Sequence, residues 1–185
     1  NKPWISPLDG LSQATPLLEK SSNLDISYSW WDMFYGCIPG SIGETSTLAI
    51  LIGATILLIT GIGSWRIMLS TCLGLLCTSF LLNQLSGISD NPMLQLTAIE
   101  HFVMGGFAFG MVFMATDPVS SAQTNKGRWM YGLLIGFMAT VIRCINPAYP
   151  EGMMLAILFA NAFAPLFDYL VVQSHIKKRQ LSYEE

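Results

Sequence analysis

Five ionisable side chains stand inside or at the edges of long apolar stretches: Glu100, His101, Asp117, Arg143 and Asp168. A charge in hydrocarbon is costly, so each is a candidate for ion or proton traffic unless a partner accounts for it. Asp168 follows Asn161 and Pro165, and Pro165 has no amide hydrogen to give the carbonyl of Asn161. A carboxylate beside a loosened carbonyl supplies the oxygens that a hard cation takes. Asp117, just before Pro118, reads either as a second acid on a cation path or as a helix-end residue in solvent. Glu100, His101 and Arg143 lie near the ends of their stretches, where water or one another can satisfy them. Phe109 and Phe113, four apart, share one side of a helix. That aromatic face is ordinary packing, a cofactor wall or an ion constriction. His101 has no second His or Cys at ligand spacing, and no serine sits in a nucleophile elbow, so neither a transition-metal centre nor a hydrolase is expected. The segment from Asp9 to Thr15 reads by composition as a turn.

The elements that must hold these residues are set by hydropathy. Of 185 residues 52% are hydrophobic and 11% charged, against about 25% charged in soluble domains. That balance excludes a disordered tail, a nucleic-acid binder and an ordinary soluble domain. No charge occurs between Thr45 and Trp65, between Ile67 and Ser89, or between Gly152 and Phe167. Helices of about 20 apolar residues cross a bilayer, so the expectation is an all-α integral membrane protein with spans near 46–63, 65–84, 97–116, 128–146 and 151–173. Residues 1–45 form a polar segment before this membrane domain of 46–173, and 174–185 a tail after it. The chain begins at Asn1 and reads as a membrane protein entered partway along. Gly106 with Gly110, and Gly132 with Gly136, form GxxxG pairs that allow helices to approach closely. The four cysteines make no CxxC.

Lys177, Lys178 and Arg179 are the strongest basic cluster, and the positive-inside rule puts them in the cytoplasm. Counting back through five spans puts Arg66, Lys126 and Arg128 on the same inner side and residues 1–45 outside.

Longer strings carry a resemblance. Ile38-Pro39-Gly40-Ser41-Ile42-Gly43-Glu44-Thr45-Ser46-Thr47, Gly105-Gly106-Phe107-Ala108-Phe109-Gly110-Met111 and Phe113-Met114-Ala115-Thr116-Asp117-Pro118-Val119-Ser120 are three of them. Asn146-Pro147-Ala148-Tyr149-Pro150-Glu151-Gly152-Met153-Met154 and the stretch from Leu158 to Asp168 are two more. With these the chain resembles the C-terminal half of the B subunits of sodium-translocating NADH:quinone oxidoreductases, from Asp9 onward. The D subunits of Rnf-type ferredoxin:NAD complexes share the shorter strings, and a passive transporter fragment is a more distant alternative.

The resemblance implies a ten-helix subunit, of which five helices are here. It also implies FMN bonded through its phosphate to the threonine that ends an Asp-x-x-Ser/Thr-Gly-Ala-Thr motif. Here that motif is Asp9-Gly10-Leu11-Ser12-Gln13-Ala14-Thr15, with Gln13 at the glycine position, Asp9, Ser12 and Ala14 matching, and Thr15 as the attachment residue. Further implications are a noncovalent riboflavin shared with the other half of the subunit, and electron delivery toward quinone coupled to sodium export. The setting is a six-subunit complex of the bacterial inner membrane, contacting lipid and no nucleic acid. This chain would bind neither NADH nor the iron–sulfur cluster. Asp117 and Asp168 are then expected to serve sodium, Phe109 and Phe113 to narrow its path, and Arg143 to balance the flavin phosphate.

Overall fold

A computed structural model of the protein describes residues 15–21, 28–41, 43–85, 91–146 and 151–184. Every regular element among them is helical. Two short helices, α1 (Pro16–Ser21) and α2 (Trp30–Tyr35), precede the apolar part. α3 (Thr47–Ile59) is capped by the Ser46 hydroxyl and runs only 13 residues. A turn then leads to α4 (Trp65–Leu85). A 3-10 turn at Pro92–Gln95 precedes α5 (Ala98–Val103) and α6 (Phe107–Phe109), which passes into a π-helical turn at Gly110–Met114. α7 (Asn125–Ile145) and α8 (Met153–Glu184) complete the chain. Three helices, at Trp65–Gln84, Asn125–Ile145 and Met153–Leu181, are long and apolar enough to cross a membrane.

The third apolar stretch is not the continuous helix expected over 97–116. It breaks at Met104, whose backbone is extended, and at Gly105, whose φ of +64° is left-handed. Hydropathy runs straight through the break, because apolar content does not encode backbone conformation. The chain end also differs from expectation in form. α8 carries Pro165 inside it and extends through 184, so the basic residues 177–179 continue the same helix.

Close approaches fix the helix directions. Trp65 meets Trp129 edge to face, the Ser70 hydroxyl donates to the Arg128 carbonyl, and Gly74 lies against Gly136. The paired numbers rise together, so α4 and α7 are parallel. Gly132 and Gly136 make this possible: a Cβ on Gly132 would lie 2.8 Å from the Ile67 carbonyl oxygen, and one on Gly136 2.7 Å from the Leu75 nitrogen. This GxxxG pair is therefore a helix-contact surface. The other pair has separate tasks. Gly106 belongs to the break, while Gly110 admits Met153 of α8.

α8 runs opposite to α7, since Tyr131 donates to Asn161 and Thr124 to Asp168. α3 and the broken segment run the same way as α8, because Gly43 meets Phe109, Gly53 meets Phe113 and Gly110 meets Met153. These five segments thus alternate between two ends of one bundle. The main apolar core includes Ile67, Leu75, Phe107, Val112, Tyr131, Ile135 and Ala156. A second cluster, including Leu17, Met33, Met93, Leu96 and Met104, seats α1 and α2 on the end where the break lies.

Candidate functional site

The break at Met104–Gly106 gathers the polar groups of one end of the bundle. A helix that stops leaves carbonyls without partners, and one that starts leaves amides without partners. Both needs are met here by charged side chains. Arg143, on the last turn of α7, is completely buried, and its two terminal nitrogens donate to the carbonyls of His101 (2.5 Å) and Met104 (3.0 Å). Its guanidinium also lies over the Phe107 ring at 5.8 Å. Glu151 accepts from the Gly106 amide at 3.2 Å. Glu44 approaches the same point, since a Cβ on Gly106 would stand 3.0 Å from one Glu44 oxygen. A Cβ on Gly105 would stand 3.1 Å from a Glu151 oxygen, so both glycines are the floor on which the two carboxylates rest.

Arg143 therefore differs from the sequence expectation. It is neither solvated nor paired with Glu100; its terminal nitrogens are turned to the two carbonyls. Glu100 is engaged at the other end of α5, where its carboxylate takes the Thr97 amide and hydroxyl in a capping box. His101 is 1% exposed, and its Nδ1 has no partner among the described residues.

Thr15 lies beside this break. It precedes α1, its carbonyl accepts from Glu19, and its side chain is half-buried. With Pro39, Gly40, Glu44 and Gly105 it lines a cavity of only about 10 Å³. A single water fills such a space, and a flavin ring does not. A phosphoester at Thr15 fits the residues present, because this partly exposed residue stands at a helix start. The ring itself would lie beyond this cavity. Asp9, Ser12 and Ala14 fall outside the described residues.

Asp117 and Asp168 occupy the opposite end. Asp117 accepts the amide and hydroxyl of Ser120, at 2.9 and 2.7 Å, in the turn after the π-helical segment. Ser120, hydroxyl first and then amide, holds this carboxyl below the usual carboxylate range. Asp168 takes the amide of Gln123 and both the amide and hydroxyl of Thr124, at 2.6–2.9 Å. Thr124 is the N-cap of α7, so Asp168 ties α8 to the start of α7. Phe109 and Phe113 touch, with ring centroids 5.1 Å apart, and face α3 at Gly43 and Gly53. Phe113 remains 40% exposed. It lies in the π-helical turn closed by the Ala115 amide on the Gly110 carbonyl, a backbone irregularity common at functional sites.

Glu44, Glu151 and the Gly105–Gly106 floor do not stand out as a site from the residues alone. The two acids stand 107 positions apart in the sequence, and only the broken helix brings them together. The one signal is a pair of adjacent glycines in an otherwise apolar run, which usually marks a bend or close approach.

Comparison with known proteins finds the same type of membrane subunit repeatedly. The chain is 56% identical to the B subunit of the Na(+)-translocating NADH-quinone reductase of Klebsiella pneumoniae (strain 342), over 93% of this chain and 44% of that protein. It is 54% identical to the B subunit of the same reductase from Chromohalobacter salexigens, over 95% of this chain and 43% of that one. It is also 54% identical to that of Yersinia pestis, over 96% and 45%. The chain thus spans less than half the length of these curated relatives. The model of the NQR2, RnfD, RnfE family matches residues 1–177, and the chain belongs to that family.

Proposed function

We propose that this chain is the C-terminal part of the B subunit of a sodium-pumping NADH:quinone reductase, carrying FMN on Thr15. The observation that carries the reading is the agreement in identity with such B subunits across 93% or more of this chain. The Asp9–Thr15 motif adds to it. A flavin tethered there would supply one- and two-electron redox chemistry. The chain's own contribution is positional. α1 is seated by Leu17 in the second apolar cluster, and Thr15 is held against the broken segment. A noncovalent riboflavin, the quinone and the remaining members of a six-subunit complex belong to the same reading. So does a bacterial inner membrane, with residues 1–45 outside, five spans and a cytoplasmic end.

Thr15→Ala is the direct test. The complex should assemble, and the B subunit should lose both the fluorescent band on a denaturing gel and the mass of one flavin mononucleotide. A variant that still fluoresces after denaturation overturns the assignment, and Ser12 would then be the next hydroxyl to examine. The family also includes RnfD, so the D subunit of an Rnf-type complex is the second reading. Ferredoxin-dependent instead of quinone-dependent turnover would favour it.

In this reading Asp117 and Asp168 serve sodium entry, with Phe109 and Phe113 narrowing the route above them. What supports it is their shared end of the bundle and the π-helical irregularity that precedes Asp117. Asp117→Asn or Asp168→Asn should raise the sodium concentration for half-maximal turnover with flavin content unchanged. Unchanged sodium dependence in both returns Asp117 to its turn and Asp168 to its tie between α7 and α8.

A further inference from the structure

The end of the bundle opposite the break carries a second polar feature that the redox reading does not use. The parallel helices α4 and α7 both begin there; Thr124 and the Asp168 carboxylate already occupy the start of α7, whereas the start of α4 borders a cavity. Each first turn adds an arginine, Arg66 on α4 and Arg128 on α7. Both line a cavity of about 340 Å³ between the α3–α4 turn, α7 and the Thr116–Ser121 stretch. Arg66 stacks on Trp65 at 4.9 Å, and the Arg128 Nε donates to the Ala122 carbonyl at 3.2 Å. Neither guanidinium forms an ion pair with a described residue; Arg128 and Asp168 act on each other only at longer range. Asp117 lies nearby between Thr116 and Pro118, but its carboxylate is turned to Ser120. Ser64 borders the same cavity.

Two guanidinium groups beside the start of α4 call for an anion with several acceptor oxygens. The rim says which kind. Leu58, Ile62 and Trp65 also line the cavity, and Ile62 is 63% and Trp65 50% exposed. A soluble anion needs no such border, whereas a lipid brings acyl chains to cover it. α3 adds a geometric reason. Its 13 residues span about 20 Å, short of the roughly 30 Å hydrocarbon core, so headgroups are drawn toward the α3–α4 turn.

We propose that this cavity holds the phosphate of an anionic phospholipid, with Arg66 and Arg128 as its ligands and Leu58, Ile62 and Trp65 against its chains. Native mass spectrometry of the detergent-purified complex tests it. The wild type should retain phosphatidylglycerol or cardiolipin in preference to phosphatidylethanolamine. Arg66→Gln with Arg128→Gln should reduce that retention roughly thirty-fold, the combined worth of two interfacial cations. The Arg66→Lys, Arg128→Lys pair should keep most of it. Retention equal to wild type in the glutamine double variant overturns the proposal, as does a wild type with no anionic preference. Displacement of the lipid by millimolar inorganic phosphate overturns it too, since the site would then be one for free phosphate. Photoreactive phosphatidylglycerol gives a measurement on the wild type alone. Labelled peptides should fall within 58–66 and 116–128, and labelling confined to other segments overturns the assignment.

Discussion

At the scale of single residues, a charge is best judged by what it holds. Arg143 sits four residues before Pro147, a place that suggests a helix end in the headgroups. Its real partners are two carbonyls exposed by a break about forty positions earlier, and nothing in local sequence announces them. Removing the guanidinium leaves both carbonyls buried and unpaired. Arg143→Met should therefore destabilise the complex by about 3 kcal/mol or more, read as a fall in its thermal transition. Arg143→Lys should recover only part, because one ammonium cannot span two carbonyls as the planar fork does. Asp117 allows a test of sign. Its bonds from Ser120 favour the ionised form, so their stabilisation is full above the ordinary carboxylate range and is lost as pH falls through the lowered value. Ser120→Ala should bring the Asp117 pKa back up and reduce the acid-side change in stability. Thermal unfolding at stepped pH checks this, and coincident curves for wild type and variant would refute it.

At the scale of elements, what could be read in advance was what hydropathy encodes. The helices α4 and α7 match the expected stretches closely and α8 begins where expected but runs past 173 to 184, because each is a long apolar run with few charges in its membrane part. The close contact at Gly132 and Gly136 was legible for the same reason that it exists, namely the need for small residues where backbones meet. The third stretch was not legible, since Met104 and Gly105 change backbone conformation without changing apolarity. That break is also where the two half-helix ends take Arg143 and Glu151, so a misread element hid the site it builds. Gly105→Ala tests its importance. An alanine at φ +64° costs about 1–2 kcal/mol in backbone strain, and its Cβ would crowd the Glu151 carboxylate. The expected result is a less stable complex with weaker retention of whatever rests beside Thr15. Gly136→Ala should act differently, parting α4 from α7 and lowering the melting temperature with no specific effect at that end.

At the scale of the whole molecule, the alternating segments turn local contacts into an orientation. α4 and α7 start at one end and α8 finishes there, so Arg66, Lys126, Arg128, Lys177, Lys178 and Arg179 collect on a single face. The opposite end holds Glu44, Glu151 and the start of α1. This asymmetry is stronger than a loop-by-loop charge count, because the helix directions come from contacts and not from the charges themselves. In the proposed topology the positive-inside rule puts the basic face in the cytoplasm and Thr15 on the other side. Cysteine labelling separates the alternatives in a background from which Cys37, Cys72, Cys77 and Cys144 have been removed. With a membrane-impermeant maleimide, Lys126→Cys and Arg179→Cys should react only in inside-out vesicles and Ser41→Cys only in intact cells. All three lie at exposed positions in this chain, and reaction of each after detergent solubilisation shows that the rest of the complex does not bury it. Reaction of Ser41→Cys and Lys126→Cys from the same side would contradict the alternating directions. A uniform reversal would keep the fold and place the Thr15 end in the cytoplasm.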